Sequence, residues 1–146
     1  MTDIRRMKTE DIATVVPFYV DYYNRSEGGC WTPEKAERRI KQVFSVDGSY
    51  SLLMEEDGEA VGFLMGYFKP YDDLTSFTVE EILIRGDRQR RGLGKRLLAE
   101  AETHARAHGA AGIELIAVND EGHRTFYGNA GFHAAKNHLP MVKWFD

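Results

Sequence analysis

A strand, an arginine-rich turn and a helix opening on two glycines follow one another between residues 76 and 108. This succession restricts the chain more than any other feature. Phe77, Val79, Ile82 and Ile84 favour extended structure over Ser76–Ile84. Leu93, Leu97, Leu98, Ala101 and Ala105 give Gly92–His108 a single apolar side, and Gly109 and Gly112 close that helix. Between strand and helix runs Arg85-Gly86-Asp87-Arg88-Gln89-Arg90-Arg91-Gly92-Leu93-Gly94-Lys95. The first N–H groups of a helix have no intrahelical acceptors. Glycines at 92 and 94 remove side chains that would keep an anion from those donors. The helix dipole and the neighbouring basic groups add attraction, which is the physics of a phosphate or diphosphate seat.

The charge distribution agrees. The chain has 146 residues, with 19 Lys and Arg against 23 Asp and Glu, for a net charge of −4. Arg85, Arg88, Arg90, Arg91, Lys95 and Arg96 are opposed only by Asp87, so this segment carries +5 and the remainder −9. A basic turn in an acidic chain points to a local anionic ligand. The overall acidity argues against a general nucleic-acid binder. One cysteine, Cys30, excludes an internal disulfide and a cysteine-built zinc site. His104 and His108 lie four apart on a helix without a His-Glu-x-x-His pattern, so no metal is expected. No apolar run approaches the ~20 residues of a membrane span, and Met1–Lys8 lacks the apolar stretch of a secretion signal. The expectation is one cytoplasmic domain over residues 1–146, with no membrane or nucleic-acid partner.

The other elements follow from local signals. Asp3–Met7 reads as a strand, and Thr9 as the cap of a helix carrying Ile12, Val15, Val16, Tyr19 and Tyr23, which Pro17 should kink or shift. Asn24–Trp31 reads as a loop, and Thr32-Pro33-Glu34 starts a second helix with Ala36, Ile40, Val43 and Phe44 on one side. Tyr50–Glu55 and Glu59–Lys69 flank Asp57-Gly58, a pair suited to a tight hairpin turn. Tyr71–Thr75 is a turn, Ile113–Val118 a buried-type strand, and Glu121–Asn129 a short helix. Phe132–Ala135 and Leu139–Phe145 read as two final strands. The order implies a mixed α/β (α+β) fold with helices packed on a sheet.

Spacing narrows the phosphate seat. A Walker loop fails because Gln89 stands at its first glycine and Arg96 at its Ser/Thr position. A dinucleotide fingerprint fails because Leu97 stands at its third glycine. What remains is [Q/R]-x-x-G-x-[G/A], filled by Gln89-Arg90-Arg91-Gly92-Leu93-Gly94. With it, Val79–Ile84 resembles the central strand of the GNAT superfamily of acetyl-CoA-dependent N-acetyltransferases, and Thr125–Phe132 resembles that family's F-Y-x-x-x-G-F stretch. The element order agrees along nearly the whole chain, and the small-molecule branch is the nearest in character.

The resemblance implies a mostly antiparallel, twisted sheet of 6–7 strands with about four helices and splayed central strands. It implies that acetyl-CoA lies in the splay, against the backbone of Ile82, Leu83 and Ile84. The diphosphate then rests on Gln89, Arg90, Arg91, Gly92, Leu93, Gly94 and Lys95, with Asn119 as a further contact. Relatives commonly carry Asn seven residues before the tyrosine, where this chain has Asp120. Direct transfer to a primary amine needs a proton acceptor, because a free alkylamine is almost wholly protonated at neutral pH. Glu80 is the first candidate, since a regular strand gives it the parity of Ile82 and Ile84. Glu81 then points the other way unless a bulge intervenes. The resemblance makes Tyr127 the acid for the leaving sulfur. Tyr22, Tyr23, Glu27 and Trp31, with Asp72 and Asp73, would line an acidic, aromatic site for a small cationic amine. The alternatives are a protein N-terminal or lysine acetyltransferase and a non-catalytic CoA sensor. By analogy with relatives, the chain is expected to be able to form a homodimer.

Overall fold

A computed structural model describes residues Met1–Phe145. The chain divides into two compact units, Met1–Leu115 and Ile116–Asp146. The first holds strand β1 (Thr2–Arg6), helices α1 (Asp11–Ser26) and α2 (Pro33–Ser45), strands β2 (Ser49–Glu56), β3 (Glu59–Pro70) and β4 (Thr75–Ile84), helix α3 (Leu93–Ala107) and strand β5 (Gly112–Leu115). The sheet order is β1-β2-β3-β4-β5; the first three pairings are antiparallel and β4–β5 is parallel. Asp57 and Gly58 both take positive φ, 53° and 82°, as the β2–β3 turn requires.

Both faces of the sheet are covered. Ile12, Val15 and Tyr19 of α1 and Ala36, Ile40 and Val43 of α2 pack on Leu53, Phe63, Met65 and Leu83. The alternate residues Leu52, Met54 and Leu64 are buried toward the opposite face, where α3 contacts β2, β3 and β4. Two covered faces explain why β2 and β3 are nearly continuous apolar runs.

Several local readings change. Thr9 does not cap α1; the Asp11 carboxylate accepts the Lys8 N–H at 2.7 Å and takes a two-pronged contact from Arg5. Helix α1 runs unbroken through Pro17, which lies on its exposed side, and continues to Ser26 inside the expected Asn24–Trp31 loop. Asn24 still organises the chain beyond the helix, bonding both the N–H and the carbonyl of Trp31. Thr32 caps α2 as expected, accepting the Lys35 N–H.

In the second unit, helix α4 (Glu121–Asn129) is capped by Asp120, whose carboxylate accepts the His123 N–H at 2.7 Å. Neither Phe132–Ala135 nor Leu139–Phe145 forms a strand, and Ile113–Val118 is extended only as far as Leu115. The sheet therefore has five strands among the described residues, fewer than the six or seven expected. Phe132–Ala135 carries no β-branched residue, and Pro140 removes a ladder donor from the last segment.

Candidate active site

The β3–β4 ladder is regular from Gly62↔Ile84 to Met65↔Glu81, then resumes at Gly66↔Val79, so Glu80 is the extra residue of a β-bulge. Gly66 permits it. A Cβ there would collide with the Thr78 carbonyl oxygen and press on the Phe77 ring. The bulge also corrects the expected parity. Glu80 does not share a face with Ile82 and Ile84. It turns with Glu81 toward α1 and α2, and both carboxylates meet Arg39 of α2.

The two carboxylates differ in setting. Glu81 is 9% exposed and accepts the hydroxyls of Tyr19 at 2.9 Å and Tyr23 at 2.6 Å, one on each oxygen. Burial pushes its carboxyl above the usual range, against the pull of the two hydroxyls and of Arg39. The same burial, with the nearby Glu81 charge, pushes both tyrosine hydroxyls up, so they stay protonated donors. Glu80 is part-exposed and accepts from Arg39 Nη2 at 3.0 Å. Burial works against the Arg39 charge, but Glu80 and Glu81 outweigh it and keep the guanidinium firmly ionised. Glu80 and Arg39 line a cavity of about 340 Å³ together with Gln42, Asp47 and Tyr67.

The strand's other edge is open. Parallel pairing with β5 stops at Val79↔Leu115, so among the described residues no strand pairs with residues 80–84 on that side. Arg85 N–H donates to the Val61 carbonyl at 2.7 Å. Antiparallel alternation therefore makes Leu83↔Phe63 a hydrogen-bonded pair, and it turns the N–H and C=O of Ile82 and Ile84 toward the open edge. The Gln89 amide already uses one of these groups, donating to the Ile84 carbonyl at 3.0 Å.

Beyond the strand the arginine turn is held by ion pairs. Arg88 and Arg91 share Glu56, Arg85 joins Glu59 and Asp87, and Arg96 donates to the Thr2 carbonyl. Arg91 and Arg88 hold the Glu56 carboxyl below its usual range. The backbone, by contrast, is left without a side-chain cap. Arg90 and Gly92 take left-handed φ of 65° and 75°, no side chain caps α3, and a Cβ on Gly92 would meet open space. Consecutive uncapped N–H groups of this kind form an anion cradle, so the residues present fit a diphosphate.

The remaining candidates fall in different places. Trp31 packs edge-on against Tyr19 with ring centroids 5.1 Å apart, and Tyr22 packs against Tyr23 at 5.1 Å, which brings both to the aromatic wall behind Glu81. Glu27 lies exposed at the end of α1, and Asp72 lies exposed in the β3–β4 turn; neither lines the cavity. In the second unit, Tyr127 packs with Phe126 and Phe132, and Asn119 accepts from Arg124 at 2.7 Å. Arg39 and Tyr19 carried no motif. Their only sequence signal was indirect: two adjacent carboxylates in a buried strand require donors from another element.

The model of the acetyltransferase (GNAT) family matches residues 16–132. The chain belongs to this family. It is an acyltransferase of a family whose acyl donor is acetyl-CoA. Solved structures share the fold of this GNAT chain. A possible acetyltransferase from Clostridium difficile 630 has a TM-score of 0.84 and 11% identity, with 100% of this chain and 99% of that one covered. The ribosomal-protein-alanine N-acetyltransferase of Brucella melitensis biovar Abortus 2308 gives 0.77 and 20%, with both chains covered in full. An aminoglycoside acetyltransferase from an uncultured soil metagenomic sample gives 0.71 and 18%, with 99% of each covered. No curated protein matches the chain at a significant level. Among the described residues no helix is long and apolar enough to cross a membrane, and no group of His, Cys, Asp and Glu could hold a metal ion.

Proposed function

We propose that this protein is an N-acetyltransferase that moves an acetyl group directly from acetyl-CoA to a small primary amine. The observation that carries the reading is the continuity of residues 80–95. A carboxylate in a cavity, an open strand edge and an uncapped helix N-terminus follow one another along one stretch of chain. The family match runs across both compact units, which supports reading residues 1–146 as one domain.

Acetyl-CoA supplies an activated thioester when bound. The backbone donors from Arg90 to Lys95 would hold its diphosphate, and the Ile82 groups with the Ile84 N–H would hold its extended arm. The Ile82 N–H, turned away from β3, would be available to a carbonyl oxygen gaining charge. Glu80, reachable from the cavity, takes the ammonium group and accepts its proton directly or through water. Glu81 has both oxygens engaged by tyrosines, so it serves Glu80 and Arg39 as a fixed neighbour. The family resemblance assigns Tyr127 the proton that the departing sulfur takes up.

The test is acetylation of a panel of primary amines by the wild type and two variants. Glu80→Gln should lower kcat/KM about 100-fold at neutral pH, with the deficit shrinking as pH rises toward the amine pKa. Tyr127→Phe should lower kcat while leaving acetyl-CoA affinity unchanged. A Glu80→Gln pH profile parallel to the wild type would remove Glu80 from proton transfer. Variants that leave turnover untouched, beside normal acetyl-CoA binding, would favour the CoA-sensor alternative.

A further inference from the structure

The cavity beside Glu80 is not simply acidic. Arg39 forms part of its wall, with Gln42, Asp47, Tyr67 and Glu80. Its guanidinium has three directed contacts: Nη2 to Glu80 at 3.0 Å, Nε toward Glu81 at 3.7 Å and Nη1 to the Gln42 side chain at 3.5 Å. The last contact sits at the limit of hydrogen bonding and joins a charged donor to a neutral amide, so it is the one a stronger acceptor would displace. Glu80 uses its Oε2 on Arg39 and keeps a second oxygen for a ligand. The wall therefore presents a carboxylate and a guanidinium side by side.

We propose that the acceptor amine carries a carboxylate, and that Arg39 is the residue that selects it. The proposal rests on the acetyltransferase reading and names the substrate class of that site. The ammonium group of such a molecule pairs with Glu80, and its carboxylate replaces Gln42 on the outer edge of Arg39. A plain amine fills only the first of these contacts. A diamine brings a second cation beside a guanidinium that Glu80 and Glu81 hold permanently charged. Asp47 on the same wall attracts that second cation, which makes the diamine the rival that matters. Charge matching of this kind governs discrimination between ligands more than total affinity.

A matched four-carbon series tests the proposal: 4-aminobutanoate, butylamine and 1,4-diaminobutane, each assayed for acetylation and for binding to the CoA-loaded protein by calorimetry. The wild type should favour 4-aminobutanoate over 1,4-diaminobutane by about tenfold or more in kcat/KM, with butylamine between them. Arg39→Met should erase or invert that ranking. Arg39→Lys, which keeps the charge and guards against a folding defect in the first variant, should retain its direction. A wild type that acetylates the diamine as well as or better than the amino acid overturns the proposal and leaves the acetyltransferase reading standing. So does an unchanged ranking in folded Arg39→Met. Failure of all three amines to bind or react with protein that binds CoA overturns the proposal alone, whereas failure to bind acetyl-CoA as well overturns both.

Discussion

The bulge in β4 and the turn before α3 are both built around charge, and they use it in opposite ways. At the turn, arginine side chains are tied to Glu56, Glu59 and Asp87 at the surface, and the proposed function rests on the backbone donors instead. At the bulge the backbone is bent to bring two carboxylates to one face, and one of them, Glu80, lines the cavity. The arginines of the turn are therefore scaffolding more than reading heads. A backbone site is insensitive to pH and to loss of any one side chain. A carboxylate pair with one buried and one part-exposed member is sensitive to both.

The sharpest break should come from Gly66→Ala. Its methyl group has no room against the Thr78 carbonyl, so it should lower stability by about 1–3 kcal/mol, as overpacking does. It should also cut acetylation by disturbing Glu80 and Glu81. Thermal unfolding and an activity assay on the same preparation check both effects.

Gly92→Val comes next. Space is open at that position, so the cost falls on the left-handed φ of 75° and on the anion seat. Acetyl-CoA affinity should fall about tenfold, the equivalent of about 1.4 kcal/mol, by calorimetric titration.

The pH response of stability separates the two regions further. Burial raises the Glu81 carboxyl in the folded state, so the native protein holds that proton more tightly than the unfolded chain. This contribution is fully present below the ordinary carboxylate pKa and is lost as pH rises through the raised one. Glu81→Gln should flatten that decline in denaturant titrations from mildly acidic to neutral pH. Glu56, whose carboxyl is held down by Arg91 and Arg88, works in the other direction, losing its contribution as pH falls.

The smallest effect should follow Arg91→Gln. The Arg91–Glu56 pair lies at the surface, where solvent screening leaves an ion pair worth little, and the backbone donors remain. Acetyl-CoA affinity should change by less than about threefold, and a larger loss would make the side chain itself a phosphate ligand.

What the sequence disclosed divides along the same line. Features set by local chemistry were legible: the Asp57-Gly58 turn, the Thr32-Pro33 helix start, the apolar side of α3 and Gly92 at its mouth. Features set across the sheet were not. The bulge at Glu80 depends on Gly66, fourteen positions earlier and in another strand, and regular alternation put Glu80 on the wrong face. Arg39 sits beside an apolar stripe with nothing in its own neighbourhood to mark it, because its partners come from β4. The two last strands, expected at Phe132–Ala135 and Leu139–Phe145, do not form, because a strand needs a pairing partner that local sequence does not supply.

The bulge also limits how the chain can change length. Deleting any one residue between Thr75 and Glu81 would let the ladder close up and fall into step with β3. Whatever lay on the deleted side would then exchange faces, sending apolar groups to where the carboxylates stand or carboxylates into the layer under α3. Point substitutions in this strand therefore change one contact at a time, whereas a single-codon deletion should turn part of β4 inside out. Length variation is expected in the β3–β4 turn at Tyr71–Leu74, which lies outside both paired segments.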